Sequence, residues 1–266
     1  MLADVDVVLF DIQDIGARFY TYISTMKLVM EACAEQKKLC IIHDRGSPLG
    51  QGCAGPVLEK KQMSFVGALP IPIVHGLTVG ELAKMAKAKR WFNKAKQLKL
   101  QVVPCIGYRH VDTIYPEVSP SPNITTALSI LGYPSVCMLE GTKASVGRGT
   151  EFPFQIYGVP DSTGGSFTFM PRRKTPNQPK PLYDSVLCNG TRLTLDSLDG
   201  LFSLKFVRNL WYKTGRKSDF FIPFFDKLAG NSWLRPMLLN DAVVEPLWKK
   251  KLKEFEKQRK RFLIYP

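Results

Sequence analysis

The sequence predicts an α/β chain organised around a parallel sheet. Three observations carry this. VDVVLF (5–10) and LCIIH (39–43) are short, apolar, β-rich runs that read as buried strands. Residues 23–38 between them read as a helix, with Met26, Val29, Met30 and Cys33 at i, i+3, i+4 and i+7. Such a strand–helix–strand unit makes its two strands parallel neighbours. A third apolar run, IPIV (71–74), leads to another helix, which Thr78 opens with Glu81 three residues on as a capping box.

The remaining elements follow in order. Residues 46–58 are rich in Gly and Pro and read as loop. LQVVPC (100–105) is a further strand, SPSPN (119–123) lies in a Pro-rich loop, and SVCML (135–139) reads as another strand. Residues 160–182 hold many Pro, Gly, Ser and Thr and predict a long irregular segment. Two helical stretches close the chain. One is 196–213, with Leu198, Leu201, Phe202 and Phe206; the other is 245–261, with Leu247, Trp248, Leu252 and Phe255 on one stripe. No internal repeat is visible.

Composition bounds the function classes. The chain has 266 residues, 45% apolar and 23% charged, an ordinary globular balance with enough chain for one large or two small domains. No apolar run reaches the roughly 18 residues of a membrane span. The start carries Asp4 and Asp6 where a signal peptide would have bases. The net charge of +14 suits an acidic partner. It is clustered. Lys84, Lys87, Lys89, Arg90, Lys94, Lys96 and Lys99 stand together without an acid, and 249–261 holds eight bases against Glu254 and Glu256. Both read first as solvated helix faces, and no motif for reading RNA or DNA accompanies them. Cys33, Cys40, Cys53, Cys105, Cys137 and Cys188 form no CxxC pair, and three histidines are few for a zinc site. Free thiols and no metal are expected.

Ligands of open parallel sheets sit at the carboxyl ends of the strands. The apolar runs end in Asp11, in Asp44-Arg45, in His75 and in Glu140, so these four ends are expected to converge on one rim. DIQDIGARFYTY (11–22) adds Gln13, Asp14, Arg18, Tyr20 and Tyr22: rings to stack on sugar faces and polar groups for hydroxyls. The competing reading puts Phe19 and one tyrosine in the core and pairs Arg18 with Asp14 or Asp11. In EGTKASVGRGT (140–150), Gly147 and Gly149 flank Arg148, so the backbone could approach a ligand while Arg148 offers a planar fork to a carboxylate or phosphate. A glycine-rich turn with a surface arginine is the plainer alternative. The loop lacks the Lys-Ser/Thr of a phosphate-binding loop. His75 is a sugar-binding donor, a general acid, or a histidine satisfied within its turn. His110, in a Tyr-Arg-His run beside Asp112, reads as surface.

Long strings in this sequence resemble one family. They are DVDVVLFDIQDIGARFYTYISTM (4–26), HDRGSPLG (43–50), GPVLE (55–59), SFVGALPIPIVHGLTVGEL (64–82), VVPC (102–105), SPSPN (119–123), YPSVCMLEGTKASVGRGTEFPFQIYG (133–158), FDKLAGNSWLR (225–235) and the closing WKKKLKEFEKQRKRFLIYP (248–266). They are similar to the bacterial exo-β-N-acetylmuramidases of the NamZ type, glycoside hydrolase family 171, formerly a domain of unknown function. The resemblance runs through nearly the whole chain in the right order and loosens at 160–220. It departs at Gly46-Ser47-Pro48, where the family usually has Asn-Pro after the Asp-Arg. Family members also carry strands before the DIQD segment, with a Ser-Pro-Glu-His-Gly-like motif whose glutamate is a catalytic candidate. This sequence starts just before DIQD, so that part is expected to be lacking and a sheet edge to be left unpaired.

The resemblance implies a Rossmann-like parallel-sheet subdomain over 1–103, incomplete at its N-terminus. It implies a second α/β subdomain over 104–266 that ends in a basic amphipathic helix, with the active-site cleft between the two. It implies removal of non-reducing-end N-acetylmuramic acid from peptidoglycan fragments in cell-wall turnover or recycling, by a family often exported, with no cofactor and no nucleic-acid partner. Glycoside hydrolysis commonly needs two carboxyl groups. The catalytic candidates are Glu140, Asp14, Asp11 and Asp44; desolvation after an apolar strand would suit Glu140 to acid duty. Candidate substrate contacts are Arg18, Tyr20, Tyr22, Arg45, His75, Asn123 of SPSPN, and Arg148, an arginine being suited to the sugar's lactyl carboxylate. Three alternatives stay open: a catalytically incomplete cell-wall sugar-binding module, a nucleotide-using α/β protein, which lacks a phosphate-loop fingerprint, and a basic nucleic-acid binder.

Overall fold

The structure, a computed structural model, describes residues 2–176 and 179–266. It divides into two compact units, Met1–Glu117 with Leu247–Pro266, and Val118–Pro246.

The first unit holds a three-stranded parallel sheet of β1 (Val7–Phe10), β2 (Leu39–His43) and β3 (Lys99–Val103), in that spatial order. Val7 pairs with Leu39 and Leu39 with Lys99, so strand, helix and strand form the expected parallel unit. Helices α1 (Tyr22–Glu35) and α2 (Val79–Ala88) cover one face of the sheet. There Phe10, Cys40 and Ile42 meet Met26, Met30, Leu82 and Met85, all buried. Burying each such side chain stabilises by about 1.5–3 kcal/mol. The opposite face stays open at Val7 (42% exposed), Leu9 (58%) and Val103 (40%). The strands therefore bury one face each, because α1 and α2 lie on the same side.

The α2 start is as its sequence specifies: Thr78 Oγ1 accepts from the Glu81 amide at 3.3 Å, and Glu81 Oε2 accepts from the Thr78 amide at 2.9 Å. IPIV forms no strand. Pro70 and Pro72 supply no amide donors to a ladder, and the segment is held by single contacts, with Val74 bridging Ala17 and Ala54 and the Arg18 amide donating to the Ile73 carbonyl at 2.7 Å. Helix α7 (Glu245–Arg259) also departs from the expected division at 103/104. Residues 247–266 belong to the first unit, where Phe255 enters the core. Arg259 holds two loop carbonyls, those of Gly76 and Gln51.

The second unit combines α3 (Ala127–Val136), an antiparallel sheet of β4 (Ile156–Val159), β5 (Phe167–Phe169) and β6 (Cys188–Arg192) in the order β4-β6-β5, and helices α4 (Lys205–Lys213), α5 (Phe224–Ala229) and α6 (Leu234–Leu239). SVCML is not a strand: it runs from the end of α3 into a 3-10 turn, Cys137–Gly141. The run is apolar all round, so its periodicity does not separate a buried strand from a buried helix. The decisive local signal lies upstream, where the Thr126 and Ser129 side chains cap each other's backbone amides. Gly200, with φ +69°, interrupts the helix expected over 196–213, which starts only at Lys205. The stretch 160–182 is largely irregular but contains β5; residues 177 and 178 lie outside the described residues. All six cysteines are free thiols. No described helix is long and apolar enough to cross a membrane.

Candidate active site

The four expected strand ends resolve into different situations. Asp11 and Asp44 do follow parallel strands, His75 follows an extended segment, and Glu140 sits in a 3-10 turn of the second unit. The single rim expected from the sequence does not form from four strands.

In the first unit, Asp11 is exposed and pairs with Arg45 at 2.8 Å, with His43 Nδ1 3.9 Å from its other oxygen. Asp44 is buried and saturated. It accepts from the Arg45 and Gly80 amides at 3.0 and 2.7 Å, and from the Thr78 and Tyr265 hydroxyls at 2.7 Å each. A Cβ on Gly80 would lie 2.7 Å from the Asp44 carboxyl carbon, so only glycine permits this approach. Burial raises the Asp44 pKa above its ordinary value despite these four donors. Every lone pair in reach is committed, which marks Asp44 as a strut joining β2, α2 and the segment around Tyr265.

Arg18 is fully buried and donates to the carbonyls of Pro56 and Ile71 at 2.8 and 2.9 Å. Burial lowers its pKa to about 9, which leaves it cationic at neutral pH. These bonds tie two loop segments together through its side chain. Tyr20 is buried, with its pKa raised by burial first and then by Tyr22 and Asp14. It meets the half-buried Tyr22 edge-on at 5.0 Å. Asp14 and His75 are both buried: Asp14 Oδ2 accepts from the Gly16 amide at 2.7 Å and lies 3.3 Å from His75 Nε2. The His75 Nδ1 accepts from the Leu77 amide at 3.3 Å. Asp14 Oδ1 is buried and has no hydrogen-bond partner among the described residues. His110 is not a surface residue. It is 3% exposed, and its Nε2 is 2.8 Å from Glu81, which also accepts from the Ile264 amide at 2.8 Å.

The second unit carries a cavity of about 1000 Å³ that brings together Asn123, Glu140 and Arg148. Glu140 is fixed by its neighbour: a Cβ on Gly141 would fall 2.4 Å from Phe225 Cα, and the Gly141 carbonyl accepts from the Ile222 amide at 2.9 Å. Arg148 clasps Glu140 through Nε (2.5 Å) and a terminal nitrogen (3.3 Å), and its guanidinium centre lies 4.8 Å from the Phe154 ring centroid. Burial alone would lower the Arg148 pKa, but Glu140 outweighs it and holds it above the ordinary value. Beneath the pair, burial pushes the Cys137 thiol well up, with the Glu140 charge adding to it, so the neutral thiol sits 3.5 Å from Glu140. Gly147 and Gly149 are required by the local backbone and packing. Both have positive φ, and a Cβ on them would meet Ile156 at 2.6 Å and the Arg172 carbonyl at 2.8 Å.

Sequence reading missed part of this cavity's lining. Glu151 is a second carboxylate on its lining, and Arg172, Arg173, Lys174 and Lys180 supply cations from the irregular segment. The only available signal was basic density in a Pro-rich stretch, since nothing local ties 172–180 to 140–151. No group of three or more described His, Cys, Asp or Glu side chains could hold a metal ion.

Known proteins are similar to this chain in sequence and fold. The family model described as "Exo-beta-N-acetylmuramidase NamZ, N-terminal" matches residues 1–128, and the corresponding C-terminal model matches 131–265. The chain belongs to the NamZ family. The peptidoglycan β-N-acetylmuramidase NamZ of Bacillus subtilis is 38% identical over 300 aligned positions, covering all of this chain and 69% of that protein. Two solved DUF1343 family proteins of Bacteroides fragilis share the fold. One superposes with a TM-score of 0.90 at 38% identity, over 98% of this chain and 75% of its own. The other has a TM-score of 0.84 at 26% identity, over 100% and 76%.

Proposed function

We propose that this NamZ-family chain is an exo-acting β-N-acetylmuramidase that hydrolyses the bond after a non-reducing-end N-acetylmuramic acid in peptidoglycan fragments, and that the second-unit cavity receives the sugar. The observation that carries the placement is the Glu140–Arg148 pair on one cavity with Arg172, Arg173, Lys174 and Lys180: a carboxylate for the chemistry and positive charge for an anionic sugar. N-acetylmuramic acid carries one carboxylate, on its lactyl ether. Arg148, shared with Glu140, and the lining cations Arg172 and Lys174 are its contacts in this reading, with the Asn123 amide available to a hydroxyl or acetamido group.

Two carboxylates on one cavity match the requirement of glycoside hydrolysis. Glu140, clasped by Arg148, is placed as the base or nucleophile in this reading, where the sequence suggested the acid role. Glu151 is an exposed second carboxylate on the same lining and is the candidate partner to Glu140. A second reading places a carboxylate at Asp14, because its Oδ1 is buried without a partner.

The deciding assay uses the disaccharide MurNAc-β-1,4-GlcNAc and follows free MurNAc by mass spectrometry. Glu140→Gln is expected to abolish release while Asp14→Asn retains it. Loss with Asp14→Asn from a folded sample, and retention with Glu140→Gln, would move the chemistry to the first unit.

A further inference from the structure

The two basic stretches of the sequence meet at one place that the hydrolytic reading does not use. A groove of about 760 Å³ in the first unit is rimmed by Lys84, Lys87, Arg90 and Lys96 from the first stretch and Arg261 from the second. No acid lines it. Among the described residues, none of these five side chains makes an ion pair or side-chain hydrogen bond. The groove floor is apolar, formed by Leu100, Val102, Phe262 and Ile264.

The loop that follows β3 adjoins the groove at Pro104. It is tied down by the Cys105 amide donating to the Tyr265 hydroxyl at 2.9 Å, by the His110 amide donating to the Pro266 carbonyl at 3.0 Å, and by Tyr108 packed edge-on against Tyr265 at 4.8 Å. Despite these ties, Ile106 is fully exposed and Val111 is 68% exposed. The loop's own charges, Arg109 and Asp112, cancel in a pair at 2.9 Å. A lone exposed apolar residue needs no explanation. Ile106 lies two residues beyond Pro104 on the groove lining, and Val111 follows His110, which is tied to Pro266, so both sit on the anchored loop that adjoins the five cations.

We infer that this surface docks on an anionic lipid bilayer, with the five cations on acidic headgroups and Ile106 and Val111 entering the interface. Lys and Arg side chains are attracted to acidic leaflets, and apolar side chains add insertion at the headgroup boundary. A soluble polyanion would satisfy the cations but would leave Ile106 and Val111 in water, so the bilayer accounts for more of the surface.

The test is co-sedimentation of the full chain with vesicles of equimolar phosphatidylcholine and phosphatidylglycerol, with pure phosphatidylcholine vesicles and soluble long-chain polyphosphate as the other arms. Binding to the acidic vesicles alone among the lipids is expected. The triple variant Lys84→Gln, Lys87→Gln, Arg90→Gln should lose about fivefold per charge, on the order of a hundred-fold together. Ile106→Asp should weaken vesicle binding about tenfold and leave polyphosphate binding unchanged. Circular dichroism confirms that the variants fold, and disaccharide turnover should not move. No partitioning of the wild type, equal binding to neutral vesicles, or vesicle binding indifferent to Ile106→Asp would overturn the inference; the last would make this a site for soluble polyanions.

Discussion

Buried carboxylates of the first unit and cavity carboxylates of the second contrast in how many of their lone pairs are already used. Asp44 accepts four hydrogen bonds, and Glu81 accepts from His110 and from the Ile264 and Thr78 amides. Both groups join the body of the first unit to the segment 264–265. Glu140 has one arginine and a thiol, and lines a cavity whose lining also includes the exposed Glu151. A carboxylate at the end of a strand is as much a structural opportunity as a chemical one. What separates the two is whether the fold has spent the oxygens, and that is a property of distant residues.

The contrast can be broken most severely at Glu140. Glu140→Gln is expected to lower kcat for MurNAc-β-1,4-GlcNAc by about 10²–10⁴-fold, the usual contribution of one acid–base group, with little change in melting temperature. The mirror experiment is Glu81→Gln. Removing one partner of a buried pair costs about 3–5 kcal/mol, read as a lower urea midpoint, and the residual folded enzyme should turn over normally. If Glu81→Gln cost activity but no stability, the division between struts and chemistry would be wrong.

Arg148→Ala sharpens the comparison on the binding side. It removes the clasp on Glu140 and a cation from the cavity, worth about 1.5–3 kcal/mol for hydrogen bonds to charged groups. The expected outcome is roughly a 10–100-fold loss of muramic-acid affinity by calorimetry; unchanged affinity would remove Arg148 from the site. Asp44→Asn should do least. Its amide oxygen can still accept from the Gly80 and Arg45 amides and the two hydroxyls can turn to accept, so about 1 kcal/mol of stability and little activity should be lost.

Acid titration gives a further reading. Burial alone would raise the Glu81 pKa, but its hydrogen bonds from His110, Ile264 and Thr78 hold it below its ordinary value of 4.5. A depressed carboxyl pKa contributes stability that is full above the ordinary value and is lost as pH falls through the lower folded value. Asp44, raised by burial, works in the opposite sense and favours folding on its own protonation. The wild-type urea midpoint should therefore fall on acidification below about 4.5, and Glu81→Gln should flatten that fall. An equally steep fall in the variant would place the acid sensitivity elsewhere.

Much of the first unit was legible in its sequence. The parallel strands 7–10 and 39–43, the intervening helix and the Thr78–Glu81 box follow from local pattern, because each is decided by contacts a few residues apart. The readings that failed needed long-range knowledge. Only the Pro72 and Ile73 environment shows that IPIV lacks a partner ladder, and only the partners of Arg18 at 56 and 71 show that it serves loop carbonyls. His110 read as surface because Glu81 is 29 residues away. In the second unit, Asn123, Glu140 and Arg148 were singled out and do share a cavity, whereas Glu151 and the basic wall were invisible as a group. The family resemblance identified the chemistry; it did not tell a saturated carboxylate from an available one.

The central claim is that Glu140 carries the chemistry from the second-unit cavity. Single-turnover release of MurNAc from MurNAc-β-1,4-GlcNAc by the Glu140→Gln chain, against the wild type and Asp44→Asn, tests it most directly. The account predicts no release from Glu140→Gln and near-normal release from Asp44→Asn. Release from a folded Glu140→Gln chain at the wild-type rate would contradict it.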